Sequence, residues 1–437
     1  MLRASLLLLF LLLPELILGQ ATTSSSTSSG AATPGQAASA QSVRPGTLIT
    51  LDQAIELALA NNPGIKALRT QIQQNEAQEI TANLRPNPVL SGDTQFIPVF
   101  TPSQFTTNTE QYDIGLGYLF ERGRKRQNRL QAARNATAVT RSQIADAERT
   151  LTFNVAQQFI NVLLADSDLQ FAENALKSFQ QTVDISDYRY KAGDISEGDN
   201  LKIKLQLLQF QTDVSSARVA RAQALGSLRL LLGFNSVPRD YYVAGELAYQ
   251  PLTASVEDLQ ARALRERPDL RASQQGITAA RSQIALAKAN GKQDVNVTMN
   301  YSHTPGLNSS SVFMSVPLPI FNRNQGEVAR TKFALTQAEL TEKSAEDTVM
   351  TDVANAYEAA ATNQEVVKLY VSGYLKQAQD SRDISEYAYK RGAAALLDFL
   401  DSERSYRATQ LAYRQALATY MLGLEQLREA VGTRSLP

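Results

Sequence analysis

Apolar positions along most of the chain recur with a helical period, and the runs between helix breakers are very long. From about residue 122 to 191 there is no Pro, and Gly occurs only at Gly123. That is roughly 70 residues, or about 105 Å if the helix is continuous at 1.5 Å per residue. Val155, Val162, Leu169, Leu176 and Val183 return every seven residues, with Ala165, Ala172 and Phe179 as a second stripe. A seven-residue repeat specifies side-by-side packing of the coiled-coil kind. A second run, from about 327 to 391, lacks Pro and holds only Gly373. Each run ends at a glycine, Gly193 or Gly392, as a left-handed C-terminal cap favours. Each is followed by another helix, about 196–232 and about 394–431. The pattern predicts two antiparallel helical hairpins, far longer than a globular core requires.

Between shorter helices and these hairpins the period changes to two. Tyr112, Ile114, Leu116, Tyr118 and Phe120 alternate with Gln111, Asp113, Gly115, Gly117 and Leu119. Val295, Val297, Met299 and Tyr301 alternate with Asn296, Thr298, Asn300 and Ser302. Large apolar groups on one face and mostly small or polar ones on the other predict half-buried strands. With weaker partners, the strand pairs are about 87–96 with 111–120 and 294–302 with 311–318, joined by loops at 97–110 and 303–310. Such alternation is the lipid-out, water-in signature of an outer-membrane barrel, with Tyr112, Ile114, Leu116, Tyr118 and Phe120 toward lipid. Open strand edges do not survive in lipid. Four strands are too few to close, since the smallest usual barrel has eight. Several chains must share the barrel, and three would supply twelve strands around an aqueous lumen. The expected fold class is mainly α with membrane β: duplicated long helical hairpins forming an α-barrel, plus four strands per chain in a trimeric 12-stranded β-barrel.

The elements also repeat in order, about 200 residues apart. Residues 50–63 match 255–268; each segment opens on a hydroxyl N-cap, Thr50 or Ser255, and closes at Pro63 or Pro268. Asp184-Ile-Ser-Asp-Tyr-Arg-Tyr-Lys-Ala-Gly193 matches Asp383-Ile-Ser-Glu-Tyr-Ala-Tyr-Lys-Arg-Gly392. The chain divides into a first repeat, 47–250, a second, 251–432, and a C-terminal tail, 433–437.

The chain opens on Met1, Leu2 and Arg3, followed by an apolar run over 4–18 broken by Pro14 and Glu15. Residues 1–21 therefore predict a secretory signal peptide, cleaved near 19–21. No Cys follows to be acylated. Residues 22–46 are Ser, Thr, Ala, Gly, Gln and Pro with almost no charge, a composition expected to form a flexible linker.

Composition narrows the chemistry. There is no Cys, no Trp and one His, and 43 basic residues balance 43 acidic ones. Zero Cys removes disulfides and thiolate chemistry, and the neutral balance offers no global field for nucleic acid. No phosphate-binding glycine loop, His-based triad or zinc cluster can be built. We expect no catalytic residue, no cofactor and no resident metal, hence not an enzyme. His303 is expected on the surface beside a loop. The basic run at 122–126 is expected at the base of the barrel or in solvent.

On these residues the chain resembles the TolC-like outer-membrane efflux family over about 47–432. The features that carry the likeness are the opening helix at 50–63, Pro86-Asn-Pro88 before a strand, Tyr188-Arg-Tyr-Lys-Ala-Gly193 before the hairpin turn and Leu231-Leu-Gly233 closing the first half. Val316-Pro-Leu-Pro-Ile-Phe-Asn-Arg-Asn-Gln-Gly326 is similar to the heavy-metal efflux branch, the CzcC-type channels. The resemblance implies a homotrimer in the outer membrane with a long periplasmic extension, a passive exit duct in a tripartite efflux system. Its partners would be a periplasmic adaptor protein, an inner-membrane pump of the RND type and outer-membrane lipid. Heavy-metal cations are the cargo that the branch implies. It places a periplasmic gate at Tyr389 and Asp199, a latch pair, and at Asp398 and Asp401, acidic rings. The family's neighbouring Arg–Thr contact is not matched, because Ala394 and Gly198 stand there. Gly193, Ser196, Gly392 and Ala395 at the hairpin turns are the expected adaptor contacts. A multidrug or type I secretion outlet is the alternative within transport; an exported coiled-coil rod or adhesin is the alternative of another class.

Overall fold

The computed structural model describes residues 48–95 and 110–435. The expected signal peptide and linker, the expected loop up to residue 109, Phe96 and the last two residues lie outside the described residues. Each half begins with two short helices. In the first these are α1 (Leu51–Asn61) and α2 (Pro63–Asn83). Thr50 caps α1 in a reciprocal box with Gln53, and Pro63 opens α2, where its missing N–H is harmless. The second half repeats this with α5 (Val256–Glu266), capped by Ser255, and α6 (Pro268–Asn290). A short parallel pair, β1 (Leu48–Ile49) with β4 (Tyr242–Val243), ties the start of the first repeat to its end.

The first long helix, α3 (Lys125–Ala192), is unbroken for 68 residues, and α4 (Glu197–Leu232) returns alongside it. The second hairpin departs from the expected continuous helix. α7 (Gln325–Leu369) passes through a π-turn (Tyr370–Tyr374) into α8 (Leu375–Lys390), and α9 (Leu396–Val431) returns. The break falls at Gly373, whose φ of 154° no other residue type adopts readily. Val155, Val162, Phe179 and Val183 are buried, so the heptad stripes do face the packing. Two cores follow from the duplication. One joins Ala54, Ala58, Val155, Phe159, Val162, Leu228 and Leu232; the other joins Leu259, Ala263, Val349, Val353, Leu427 and Val431.

Four strands form one antiparallel sheet in the order β2 (Val89–Gln95), β3 (Gln111–Phe120), β5 (Val295–Thr304), β6 (Leu307–Ser315). The hairpin of β5 and β6 is tighter than the loop expected at 303–310. Thr304 pairs with Leu307, and the turn is only Pro305 and Gly306, with Gly306 at φ 86°. The Asn308-to-Ser311 stretch is too polar to advertise a strand, yet it pairs in register with His303 to Asn300 on β5. At the far end β6 stops at Ser315 rather than 318, because Pro317 and Pro319 have no N–H for a ladder.

A buried ion network closes the second repeat. Arg267 is 4% exposed. It reaches Asp269 at 2.6 Å, Asp352 at 2.9 Å and the Ala430 carbonyl at 3.2 Å. Burial would raise the Asp269 carboxyl, but the hydrogen bonds and charge of Arg267 outweigh it and leave Asp269 below its ordinary range. A carboxyl lowered in the folded state contributes stability above its unfolded value and loses it as pH falls through the folded one. Arg267→Ala removes charge-assisted hydrogen bonds from half-buried Asp269 and Asp352 and is expected to cost about 1.5–3 kcal/mol. Thermal unfolding followed by circular dichroism in detergent should show a lower midpoint for the variant at neutral pH, and a smaller loss on acidification than the parent chain suffers.

Candidate functional site

Two regions carry the residues singled out from sequence: one face of the sheet and the turns of the two hairpins. On the sheet, register sets the faces. Tyr112, Ile114, Leu116, Tyr118 and Phe120 stand opposite His303, Tyr301, Met299, Val297 and Val295, and Val297 and Met299 stand opposite Met314 and Val312. Tyr112, Ile114, Leu116, Met299, Val312 and Met314 are all exposed, so an apolar face runs across the strands with nothing covering it among the described residues. The other face carries Ser91, Asp93, Asp113, Gly115, Thr298, Asn300 and Ser302. Gly115 leaves room there for the Asn300 side chain, whose Oδ1 would lie 2.2 Å from a Cβ at that position. Both outer edges of the sheet, on β2 and β6, are unpaired among the described residues. No described helix is long and apolar enough to cross a membrane. His303 lies within β5, not in a loop, with Nδ1 2.7 Å from Asn308 Oδ1.

The hairpin turns lie together. Gly193 and Gly392 take φ of 85° and 75° and end α3 and α8. Ser196 caps α4 by accepting from the Asp199 N–H at 3.1 Å, whereas Ala395 opens α9 with no side-chain cap. Arg189 of the first hairpin joins the turns. Its Nη1 donates to the Tyr389 carbonyl at 2.7 Å, and its guanidinium lies 5.4 Å from the centre of the Tyr389 ring.

Behind Arg189 runs a column of rings that sequence inspection did not find. Tyr389 stacks on Phe399 at 5.4 Å, Phe399 on Phe179 at 6.2 Å and Phe179 on Phe210 at 4.4 Å, with interplanar angles of 9°, 8° and 15°. Arg407, paired with Asp213, covers the far ring at 4.1 Å from its centroid. Phe179 and Phe210 belong to the first hairpin, Tyr389 and Phe399 to the second, so the column fastens one to the other. Arg382 to Ser178 (3.0 Å) and Thr182 to Glu386 (3.3 Å) do the same with hydrogen bonds. Phe179 stood on a predicted stripe; its partners lie in other helices, and nothing in a single sequence pairs them.

The gate residues are placed differently from one another. Tyr389 is 3% exposed, and its hydroxyl has no hydrogen-bond partner among the described residues. Asp199 is held by Ser196 at 2.9 Å and lies 3.6 Å from Lys202. Within the chain the two make no hydrogen bond to each other, so the expected latch is not formed in this arrangement. Asp398 and Asp401 are exposed, on the side of α9 opposite buried Leu396, Phe399 and Glu403. Neither has a cation within 4 Å among the described residues.

The sequence profile described as Outer membrane efflux protein matches residues 54–234 and 259–433. Among similar proteins, the cobalt-zinc-cadmium resistance protein CzcC of Cupriavidus metallidurans is 24% identical over 84% of this chain and 85% of its own length. The cation efflux system protein CusC of Escherichia coli is 25% identical over 82% of this chain and 80% of its own. Solved structures share the fold. CusC superposes with a TM-score of 0.72 at 21% identity, over 92% of this chain and 99% of that one. The open state of the Neisseria gonorrhoeae MtrE outer membrane channel superposes with a TM-score of 0.72 at 20% identity, over 91% and 94%.

The ring column makes a contrast that can be measured. Phe399→Ala is expected to destabilise by about 3–5 kcal/mol, as loss of a buried aromatic does, and to expose the turns to protease. Tyr389→Phe removes only an unpaired hydroxyl and should leave the thermal midpoint unchanged or slightly raised.

Proposed function

The chain belongs to the outer membrane efflux protein family, and on that premise we propose that it is the exit duct of a tripartite efflux system, with metal cations as cargo. One observation carries the proposal: a four-stranded sheet with an uncovered apolar face and two unpaired edges among the described residues, set on hairpins whose longest helix runs 68 residues. In lipid every backbone polar group must be paired internally. Three copies joined edge to edge would satisfy both edges, turn the apolar face to lipid and enclose the polar one. The hairpins of three chains would then line the continuing passage below. The relatives CzcC, a cobalt-zinc-cadmium resistance protein, and CusC, a cation efflux system protein, support a metal cargo; in this proposal an RND-type inner-membrane pump delivers it through a periplasmic adaptor. The signal peptide at 1–21 and the linker at 22–46 belong to the same proposal, as the route to the outer membrane.

The hairpin turns form the periplasmic gate in this reading. Exposed, unpaired Asp398 and Asp401, repeated around a threefold axis, would set rings of negative charge at a constriction and favour cations. Tyr389 and Asp199 could close as a latch only once the Tyr389 hydroxyl leaves its stack. Gly193, Ser196, Gly392 and Ala395 present small exposed turns to an adaptor, and uncapped α9 leaves N–H groups there for a partner's acceptors.

Outer-membrane fractions should yield a band that shifts on heating and that conducts in planar bilayers. Asp398→Ala with Asp401→Ala should lower the cation-to-anion permeability ratio by several-fold, since removing a charge ring weakens local cation enrichment. A soluble monomer would defeat the duct, and unchanged selectivity would defeat the acidic rings.

A further inference from the structure

We propose that the junction between strands and long helices forms an electropositive collar that binds the phosphate of anionic phospholipids in the leaflet on the helical side of the membrane. This rests on the duct reading, which puts the apolar strand face in lipid. Arg122, Arg124 and Arg126 fall where β3 passes into α3. Asp294 accepts from the Arg122 backbone N–H at 2.9 Å and from Lys125 Nζ at 2.7 Å, and Glu121 pairs with Arg129 at 2.7 Å. Those two carboxylates are thereby occupied. Arg122, Arg124, Arg126, Lys292 and Arg323 have no carboxylate within 4 Å among the described residues.

Close packing gathers these cations from both repeats. The stem of Lys292 lies across Gly123, where a Cβ would come within 2.6 Å of it. The backbone of Arg323 lies against Gly291, where a Cβ would meet its carbonyl at 2.5 Å. Arg122, Arg124, Lys292 and Arg323 are all exposed.

Local forces oppose the arrangement. Arg124, Lys125 and Arg126 stand at the N-cap and first positions of α3, against the positive end of the helix dipole, with no acid in the first turn. The turn also needs a left-handed residue, Asn324 in the second repeat at φ 60°, yet in the first repeat Arg124 takes it at φ 57°. Local rules are broken in this way where a site needs the residues for something else. On the same side, the segment after β6 exposes Leu318, Ile320 and Phe321, the last at 90%. Apolar groups followed directly by unpaired cations are the profile of a membrane interface, where the apolar part enters the acyl boundary and the cations meet headgroup phosphates.

The test uses the full chain in nanodiscs of mixed dioleoyl-phosphatidylglycerol and dioleoyl-phosphatidylcholine, with retained lipid counted by native mass spectrometry. The chain should retain the anionic lipid in preference. Arg122→Gln, Arg124→Gln and Lys292→Gln combined should lower that preference, by about fivefold per cation removed. Arg122→Lys with Arg124→Lys should keep it. Equal retention of both lipids by the unaltered chain overturns the proposal without needing any variant. So does a triple variant that shifts channel selectivity while its lipid preference stays as it was, since the cations would then face the lumen. A chain that forms no channel in bilayers would refute the duct reading itself; one that conducts but ignores lipid charge refutes only the collar.

Discussion

The constraint on which the rest depends is the hydrogen bonding of strand edges. A sheet of four strands has two rows of unpaired N–H and C=O groups, one on β2 and one on β6. In water such edges invite aggregation; in lipid they are prohibitive. The apolar face built by Tyr112, Ile114, Leu116, Met299 and Val312 is kept from water when it is turned to lipid. The duplicated helices follow from the same need. Each repeat contributes a strand pair, and each pair must stand on a helix rooted firmly enough to hold its register.

That rooting is not equally distributed. Near the short helices, two apolar cores and the Arg267 network anchor the hairpins. At the turns, the ring column and Arg189 bind the first hairpin to the second. Between them Arg414 joins the hairpins, bonding Ser167 at 3.1 Å and covering the Phe171 ring. Fastening both ends lets each chain behave as one stave.

Much of this was legible from residues alone, for identifiable reasons. The hairpins declared themselves because Pro and Gly are missing from long runs and apolar residues recur every seven. β3 and β5 declared themselves because large and small residues alternate. β6 was misplaced because Asn308 to Ser311 carry no apolar alternation, so only the partner strand specifies them. The two-residue pairing of β1 with β4 joins positions almost 200 residues apart and leaves no periodic trace. At the turns, the matching decapeptides located the ends of the two hairpins but not the surroundings of their residues. Burial of Tyr389 between Arg189 and Phe399 depends on helices that meet only in three dimensions. An isolated glycine such as Gly373 is tolerated in many helices, so its presence alone did not announce a break.

That break separates what the duplication shares from what it does not. A residue accommodated in a π-turn lengthens the helix without the usual rotation, so side chains beyond it point about 100° from where an unbroken helix would aim them. Tyr190 and Tyr389 occupy matching places in the two decapeptides, yet one is 40% exposed and the other 3%. Tyr389 packs against Arg189 of the first hairpin, and within one chain Tyr190 has no hairpin beside it to do the same. Gly373 thus acts as a phase shifter within the second hairpin, re-aiming every side chain between it and the turn.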